Sequence, residues 1–541
     1  MPDYLTFNCG CKFPVLKENN STRINFSPKI EEINLFCSKT WDLISSGNTK
    51  GCFQLESRLG QTMAKKLKPE NIEQLSALIS IMRPGSLEAI REGKSVSNHF
   101  IDKKNGLESV DYFHPILEES LKSTYGEMIY QEQSMQIAQT VAGFNLQEAD
   151  MLRKAIGKKK PEEMAKVKKR FLEGTKEKQI VTLEQAEEIF SWIEKSQRYS
   201  FNKSHAVSYA INAYLSAYAK SHFPRVFFAS YLKFAKDKID PQQEIKELVR
   251  NANEMNILVK NPDFRNLNQF FILKNKDIYF GLTDIKGVGQ SVYQKILNLS
   301  ADKKIEELSW YEIVYHILLN INSVAAKAMI STGCFDYFKK NRIELLFEYE
   351  ICAILTKKEL EYFISSLSLN KDSKSLILIL EYMLSNFKIL KKRQEVIQNS
   401  INALKNPPFS LTDKIEWLSD SESSLLGVSI SCSKLDSYDI SMSNTDCKTF
   451  KTSSISSKII IAGEITGINI IKTKTGKNPG QEMAFVSIED QTGILDSVIF
   501  FPEQWTKYKT HIFEGNILIF TGNRAKSKDG LIVDKCFEPI S

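Results

Sequence analysis

The apolar residues of this chain change period once, and that change limits what it can fold into. From about Glu31 to Leu232 they recur three and four apart, as at Ile72, Leu75, Leu78, Ile79 and Met82. That spacing lays a single stripe along a helix. After Lys458 they run in short blocks: Ile459-Ile460-Ile461, Ala484 to Ile488, Ser497 to Phe500, Ile517 to Thr521 and Leu531 to Val533. Gly476 to Gly480 and Asp529-Gly530 supply turns between blocks. The expected fold is multidomain and mainly α, with an all-β barrel at the C-terminal end.

Helix signals sharpen the first part. Arg83-Pro84-Gly85 stops the helix that begins near Ile72, and Thr182 caps one running from Glu184 to Trp192. Ser204 to Phe228, rich in Ala, Tyr and Leu, reads as a buried helix. A short strand at Ile278-Tyr279-Phe280 leads into Gly281 to Gly289 and a helix from Gln290 to Leu297. In the last part, a helix from Pro502 to Lys507 falls between the third and fourth strands, the arrangement of an oligonucleotide-binding (OB) type barrel. The expected divisions are a small element over 1–30, helical domains over 31–232 and 233–340, and a charged helical region over 341–436. A Ser-, Asp- and Thr-rich linker over 437–457 and the barrel over 458–541 complete them.

Composition excludes several classes. A chain of 541 residues is expected to form several domains. No apolar run approaches the roughly 20 residues that span a bilayer, so no membrane partner is expected. Met1-Pro2-Asp3-Tyr4 opens no secretory signal. Nine scattered Cys fit the reduced thiols of a cytoplasm. A zinc site can draw on Cys9-Gly10-Cys11, but Cys37 and Cys52 stand alone and no paired Cys-x-x-Cys follows. Unpaired thiols are the expected reading, and no metal ligand is assigned.

Charge is placed rather than spread. From Arg153 to Arg170 there are nine Lys or Arg against two Glu, a surplus equal to the net +7 of the whole chain. A concentrated cationic segment calls for a polyanion, and phosphate is the usual one. Lys154 and Lys158 share a helix face at i, i+4 spacing. Lys166 to Arg170 reads as a solvated face or a DNA-backbone contact.

Six stretches in a fixed order carry a family resemblance. They are Gly51-Cys52-Phe53-Gln54-Leu55-Glu56-Ser57; Arg83-Pro84-Gly85; Tyr125-Gly126-Glu127-Met128-Ile129-Tyr130-Gln131-Glu132-Gln133; Ala149 to Met164; Phe201-Asn202-Lys203-Ser204-His205; and Ile285-Lys286-Gly287-Val288-Gly289. The chain resembles the C-terminal half, fingers to OB barrel, of the alpha subunit of bacterial DNA polymerase III, a C-family replicative polymerase. The resemblance makes 31–232 the fingers and 233–340 a helix-hairpin-helix module.

The resemblance implies roles for named residues. Arg153, Lys154 and Lys158 would clamp the incoming dNTP, although the family commonly has Arg-Arg where this chain has Arg153-Lys154. Lys keeps the charge and loses the bidentate fork. Asn202, Lys203, His205 and Arg83 join the nucleotide-binding set. Asn202 or Ser204 as a plain helix cap stands beside a phosphate contact at the helix N-terminus. Lys159 and Lys160 are expected on DNA. So are Lys286, Gly287, Val288 and Gly289, through backbone amides that meet phosphate without reading sequence. Lys474, Lys477, Arg524 and Lys526 near barrel turns, with Phe485 and Phe500 on strands, suit single-strand binding; core aromatics and soluble loops fit equally well.

Nucleotidyl transfer uses metal ions held by clustered carboxylates, and the chain contains no Asp-x-Asp. Glu148-Ala149-Asp150 reads as charge at a helix start. In the family the catalytic Asp residues sit in a palm N-terminal to the fingers. The palm, the thumb and the N-terminal phosphoesterase-like domain are therefore expected on another polypeptide, joined non-covalently, and no catalytic residue is assigned here. Mg2+ is expected in the assembled polymerase, bound mainly by that partner. The expected partners are primer-template DNA, dNTP and the palm-bearing subunit. The family's Gln-led sliding-clamp motif has no clear equivalent between Asn341 and Asn406, which leaves a sliding clamp open as a further partner. The alternative function is a palm-less, non-catalytic DNA-binding accessory protein or a fragment of a larger polymerase. The expected location is the cytoplasm of a bacterium or of a phage-infected host.

Overall fold

The computed structural model describes residues 3–18, 21–158, 161–196, 199–299, 304–369, 375–452, 458–473, 479–525 and 530–540. The chain divides into two compact units, Met1–Phe227 and Phe228–Ser541. No helix among the described residues is long and apolar enough to cross a membrane.

The first unit opens with a three-stranded antiparallel sheet, β1 (Asp3–Thr6), β2 (Lys12–Glu18) and β3 (Ser21–Ile24). It is not a separate element. Cys11 and Phe13 are buried in the same apolar cluster as Trp41, Leu78 and Tyr214. Around that cluster pack α1 (Ser38–Ser45), α2 (Ile72–Ile81) and α7 (Lys203–His222). The expected helix from Ser204 to Phe228 is broken at Phe223 by Pro224, which starts a second helix, Pro224–Phe234. On α7, Ala206, Ala210, Ala213 and Ala217 are buried at helical spacing. These small residues let α7 lie against α2, where every residue from Gln74 to Ile81 is buried.

A second apolar cluster is built by α3 (Gln131–Ala142), α4 (Leu146–Lys158), α5 (Pro161–Lys178) and α6 (Leu183–Ser196). Thr182 and Gln185 exchange the side-chain-to-amide bonds of a capping box at the start of α6, as its sequence predicts.

In the second unit the Gly-x-Gly turn leads into α8 (Gln290–Leu299), followed by α9 (Ser323–Ser331) and α10 (Arg342–Ala353). A buried ionic network ties this module to α11 (Ile415–Leu426). Arg342 is 3% exposed and Glu422 is fully buried. The Arg342 guanidinium donates to Glu422 at 2.7 Å and to Asp336 at 2.7 and 2.9 Å. Glu422 also accepts from Asn261 and from the amides of Ile430 and Ser431. Burial pushes the Glu422 carboxyl up, but Arg342 and Ser431 outweigh it and hold the group below its ordinary pKa.

The region expected to be a linker is partly ordered onto the barrel. Cys447 and Phe450 of the short helix α12 (Cys447–Thr452) are buried in the barrel core. The barrel itself is closed, in the order β5-β6-β8-β7-β4. Its strands are β4 (Ile459–Lys472), β5 (Glu482–Asp490), β6 (Gly493–Phe500), β7 (Ile517–Arg524) and β8 (Leu531–Phe537). The short helix Pro502–Tyr508 lies between the third and fourth strands, and β6 pairs parallel with β8.

Two outcomes follow from the buried charges. Glu422→Ala leaves Arg342 with Asp336 as its one carboxylate partner and strips the Ile430 and Ser431 amides of their acceptor; it should cost about 3 kcal/mol in urea unfolding, with Glu422→Gln losing less. Asp284 accepts the Gly281 amide at 2.9 Å, and burial raises its pKa from 3.8 to about 7. The folded chain therefore binds a proton that the unfolded chain releases, and stability falls as pH rises from about 4 to 7. The melting-temperature advantage of wild type over Asp284→Asn should shrink across that window and level off above it.

Candidate functional site

Four of the six motifs meet at the start of α7. Its N-terminal amides need partners from outside the helix. Asn202 caps the helix, its Oδ1 accepting the His205 amide at 2.9 Å. Glu132, from the third motif, accepts the Lys203 amide at 2.9 Å and the Asn202 side-chain amide at 2.9 Å. Tyr130 and Phe201 form a parallel bridge, with Gln131 N donating to Phe201 O and Phe201 N to Ile129 O, both at 2.9 Å. The Arg83 guanidinium lies 3.6 Å from the Phe201 ring centre. Phe53 packs on Tyr209 at 5.1 Å, and its amide donates to Ser216.

This corrects part of the phosphate reading. The amides of Lys203 and His205 are taken by carboxylate and cap oxygens, so they do not form an anion cradle. What this end of the helix offers outward is side chains. His205 is exposed between Phe201 and Tyr209, at 5.5 and 4.1 Å between ring centres. Lys203 reaches Glu73 at 3.3 Å and lies 5.5 Å from the Tyr130 ring centre. Burial pulls the Arg83 guanidinium below its usual pKa.

The third motif contributes supports rather than contacts. Gln133 accepts the Ile129 and Tyr130 amides and donates to Ser120 and Thr124. Glu127, 1% exposed, holds Arg91 at 2.6 Å and Lys103 at 2.9 Å.

The basic motif occupies α4 and α5. Asp150 binds both leading cations, Arg153 at 2.8 Å and Lys154 at 2.8 Å. Lys154 and Arg153 in turn hold its carboxyl below the ordinary aspartate value. Arg170 is half-buried and paired rather than freely solvated. It donates to Glu148 at 2.7 Å and lies 5.4 Å from the Phe144 ring centre. Glu148 accepts the Asn145 amide as well, so it closes the start of α4, as its position predicts. Between α4 and α5 is a cleft of about 360 Å3 lined by Lys154, Lys166 and Arg170 together with Glu148 and Glu163. Phe144, Met151 and Val167 supply its apolar floor. The backbone of Lys158 ends α4. The Lys158 side chain, Lys159 and Lys160 lie outside the described residues.

Arg83, Asn202, Lys203 and His205 are thus gathered at the start of α7. Arg153 and Lys154 stand apart on α4, whose apolar face belongs to the second cluster. The sequence reads Asp150 as charge at a helix start and Glu132 as a network residue, without naming Arg153 and Lys154 or Asn202 and Lys203 as their partners. Asp150 was legible, because it lies three and four residues before its partners. Glu132 was not, since it acts across 70 residues.

In the second unit Gly287 has φ +95°, a conformation that favours glycine. Gly287 and Gly289 are exposed, while the Val288 side chain is 3% exposed and plugs the core. The Lys286 amide donates to Leu425 O at 2.9 Å, so that amide is not available to phosphate, although the Lys286 side chain is exposed. On the barrel, Arg524 turns inward. Its guanidinium lies 4.2 Å from the Phe450 ring centre and donates to the Phe450 carbonyl. Phe500 is fully buried in the barrel core, and Phe485 is half-buried. Lys474, Lys477 and Lys526 lie outside the described residues.

Comparison with known proteins follows the same order along the chain. Residues 13–179 match the bacterial DNA polymerase III alpha subunit finger domain, 256–345 the helix-hairpin-helix motif, and 459–538 the OB-fold nucleic acid binding domain. The DNA polymerase III subunit alpha of Aquifex aeolicus is 31% identical over 513 residues, 94% of this chain and 39% of that protein. That of Borreliella burgdorferi is 31% identical over 524 residues, 96% of this chain and 42% of that protein. That of Caulobacter vibrioides is 37% identical over 311 residues, 57% of this chain and 26% of that protein. The chain spans well under half the length of these relatives. With fingers, helix-hairpin-helix and closed OB barrel in that order, it resembles the C-terminal half of the bacterial DNA polymerase III alpha subunit.

Proposed function

We propose that this chain is the substrate-holding half of a template-directed DNA polymerase, active in complex with a polypeptide that carries the metal-binding aspartates. The observation that supports the reading best is the cleft between α4 and α5, where Lys154, Lys166 and Arg170 outnumber Glu148 and Glu163, with Arg153 and Lys158 on α4 as well. A polymerase fingers helix with fixed cations stabilises the charge that develops on a leaving pyrophosphate. Asp150 holds Arg153 and Lys154 in the absence of that anion, and a triphosphate would compete with it for them. The absence of Asp-x-Asp from the sequence supports carboxylates supplied from elsewhere. Mg2+ would be held mainly by that partner.

DNA would be held by the exposed Gly287 and Gly289 backbone, by Lys286, and by the half-buried Phe485 face of the barrel. Backbone and stacking contacts of this kind are sequence-tolerant. Lys203, His205 and Arg83 would face the primer-template or the nucleotide through side chains.

Primer extension tests the proposal directly. The chain alone should not elongate a primer, and adding a palm-bearing polymerase chain should restore synthesis. DNA binding with no extension in any such mixture would instead favour a non-catalytic accessory protein. In the reconstituted enzyme, Arg153→Ala and Lys158→Ala should raise the KM for dNTP about tenfold or more while primer-template affinity in a gel-shift assay changes little. Equal losses in both measurements would argue against a triphosphate role for these cations.

A further inference from the structure

Three thiols that are scattered in sequence meet one imidazole in space. The Sγ atoms of Cys9, Cys11 and Cys37 and the ring nitrogen of His222 all lie within 4.8 Å of one another. His222 Nε2 is 3.3 Å from Cys9 Sγ and 3.7 Å from Cys37 Sγ. A tetrahedral zinc centre with Zn–S near 2.3 Å and Zn–N near 2.0 Å separates its ligand atoms by roughly 3.5–3.8 Å. From this geometry we infer that Cys9, Cys11, Cys37 and His222 form a structural zinc site of the Cys3His type.

The surroundings are those of a metal ligand set. His222 Nδ1 lies 2.9 Å from the Tyr218 carbonyl, which can only accept. Nδ1 therefore carries the proton, and the Nε2 lone pair faces the thiols, the tautomer a metal requires. The Asn34 side-chain amide donates toward Cys11 Sγ at 3.9 Å, a bond that strengthens to a thiolate. Cys37 is the N-cap of α1, where the helix dipole favours a negative sulfur. Gly10, at φ +81°, makes the β1–β2 turn that brings Cys9 and Cys11 to the same centre. Phe7, Phe13 and Tyr218 surround the imidazole at 4.9, 5.2 and 4.3 Å between ring centres. Three thiolates and one imidazole fill a tetrahedron and leave no open position, so the site holds structure and does no chemistry. Each thiol gives up its proton to solvent as the metal binds.

The position gives the site a purpose. His222 is the last residue of α7, and the motif Phe201–His205 stands at the other end of that helix, about 30 Å away for 20 residues. The metal ties the N-terminal hairpin and the start of α1 to the far end of the helix that bears the motif, across 213 residues of sequence.

Zinc analysis of the purified full-length chain tests this by mass spectrometry of the metal. About one zinc per chain is expected. After chelation, Co2+ added to the same protein should give the intense visible bands of tetrahedral cobalt with a thiolate charge-transfer band, and equimolar Zn2+ should abolish both. Cys37→Ser and His222→Ala should each weaken metal binding at least tenfold. Cys52→Ser removes a fully buried thiol outside the cluster and should keep full zinc content. If the first two variants fail to fold, the wild-type cobalt spectrum and zinc protection of Cys9 from alkylation carry the test. Wild-type protein with neither zinc nor a tetrahedral cobalt spectrum, or with a disulfide among Cys9, Cys11 and Cys37, overturns the inference.

Discussion

The first unit depends on how the amides at the start of α7 are satisfied. The leading N–H groups of a helix must find acceptors outside it. Here Asn202 supplies one and Glu132, from another helix 70 residues away, supplies the next. Because Glu132 stands at the start of α3, that exchange also fixes α3, which runs from the first apolar cluster into the second. The Tyr130–Phe201 bridge and the Arg83–Phe201 stack rest on the same junction. With Glu132 occupying the Lys203 amide and the Asn202 side-chain amide, what this end of α7 turns outward is side chains.

The same economy governs the cations. Arg170, Arg342 and Arg524 are committed to Glu148, Glu422 and the Phe450 face. A planar guanidinium suits such fixed sites, since it binds carboxylates through two donors and stacks on rings. Lys154 and the Lys286 side chain remain exposed. The chain's cations thus fall into two populations, one holding the fold and one facing outward, and Arg170 and Lys154 show both within the basic segment. Asp150 stands between them, pairing with Arg153 and Lys154 through bonds short enough to order both and exposed enough to be exchanged.

Legibility in the sequence followed the range of the interaction. The helix over Ile72–Ile81, the Thr182 cap, all five barrel strands and the helix at Pro502 were readable because each is set by neighbours a few residues away. The orientation of Arg524 was not. A Lys or Arg near a turn reads as a solvent-facing cation, and only the packing of Phe450 onto the barrel shows that Arg524 turns inward. The helix Cys447–Thr452 inside the expected linker went unread for the same reason, since Cys447 and Phe450 are too few to register as a helical stripe yet bury fully against the barrel.

By itself the sequence determined the order of helical and barrel regions, the concentration of charge between Arg153 and Arg170, and the six motifs that carry the family resemblance. Those properties are local: period, cap, turn and charge density are written in adjacent residues. Tertiary structure alone decided which polar groups distant in sequence are paired with one another. Glu132 with Lys203, Arg342 with Glu422, and His222 with Cys9 and Cys37 are meetings across tens to hundreds of residues. No spacing rule reaches that far, because such contacts are selected by the burial of whole helix faces and not by the residues that finally touch.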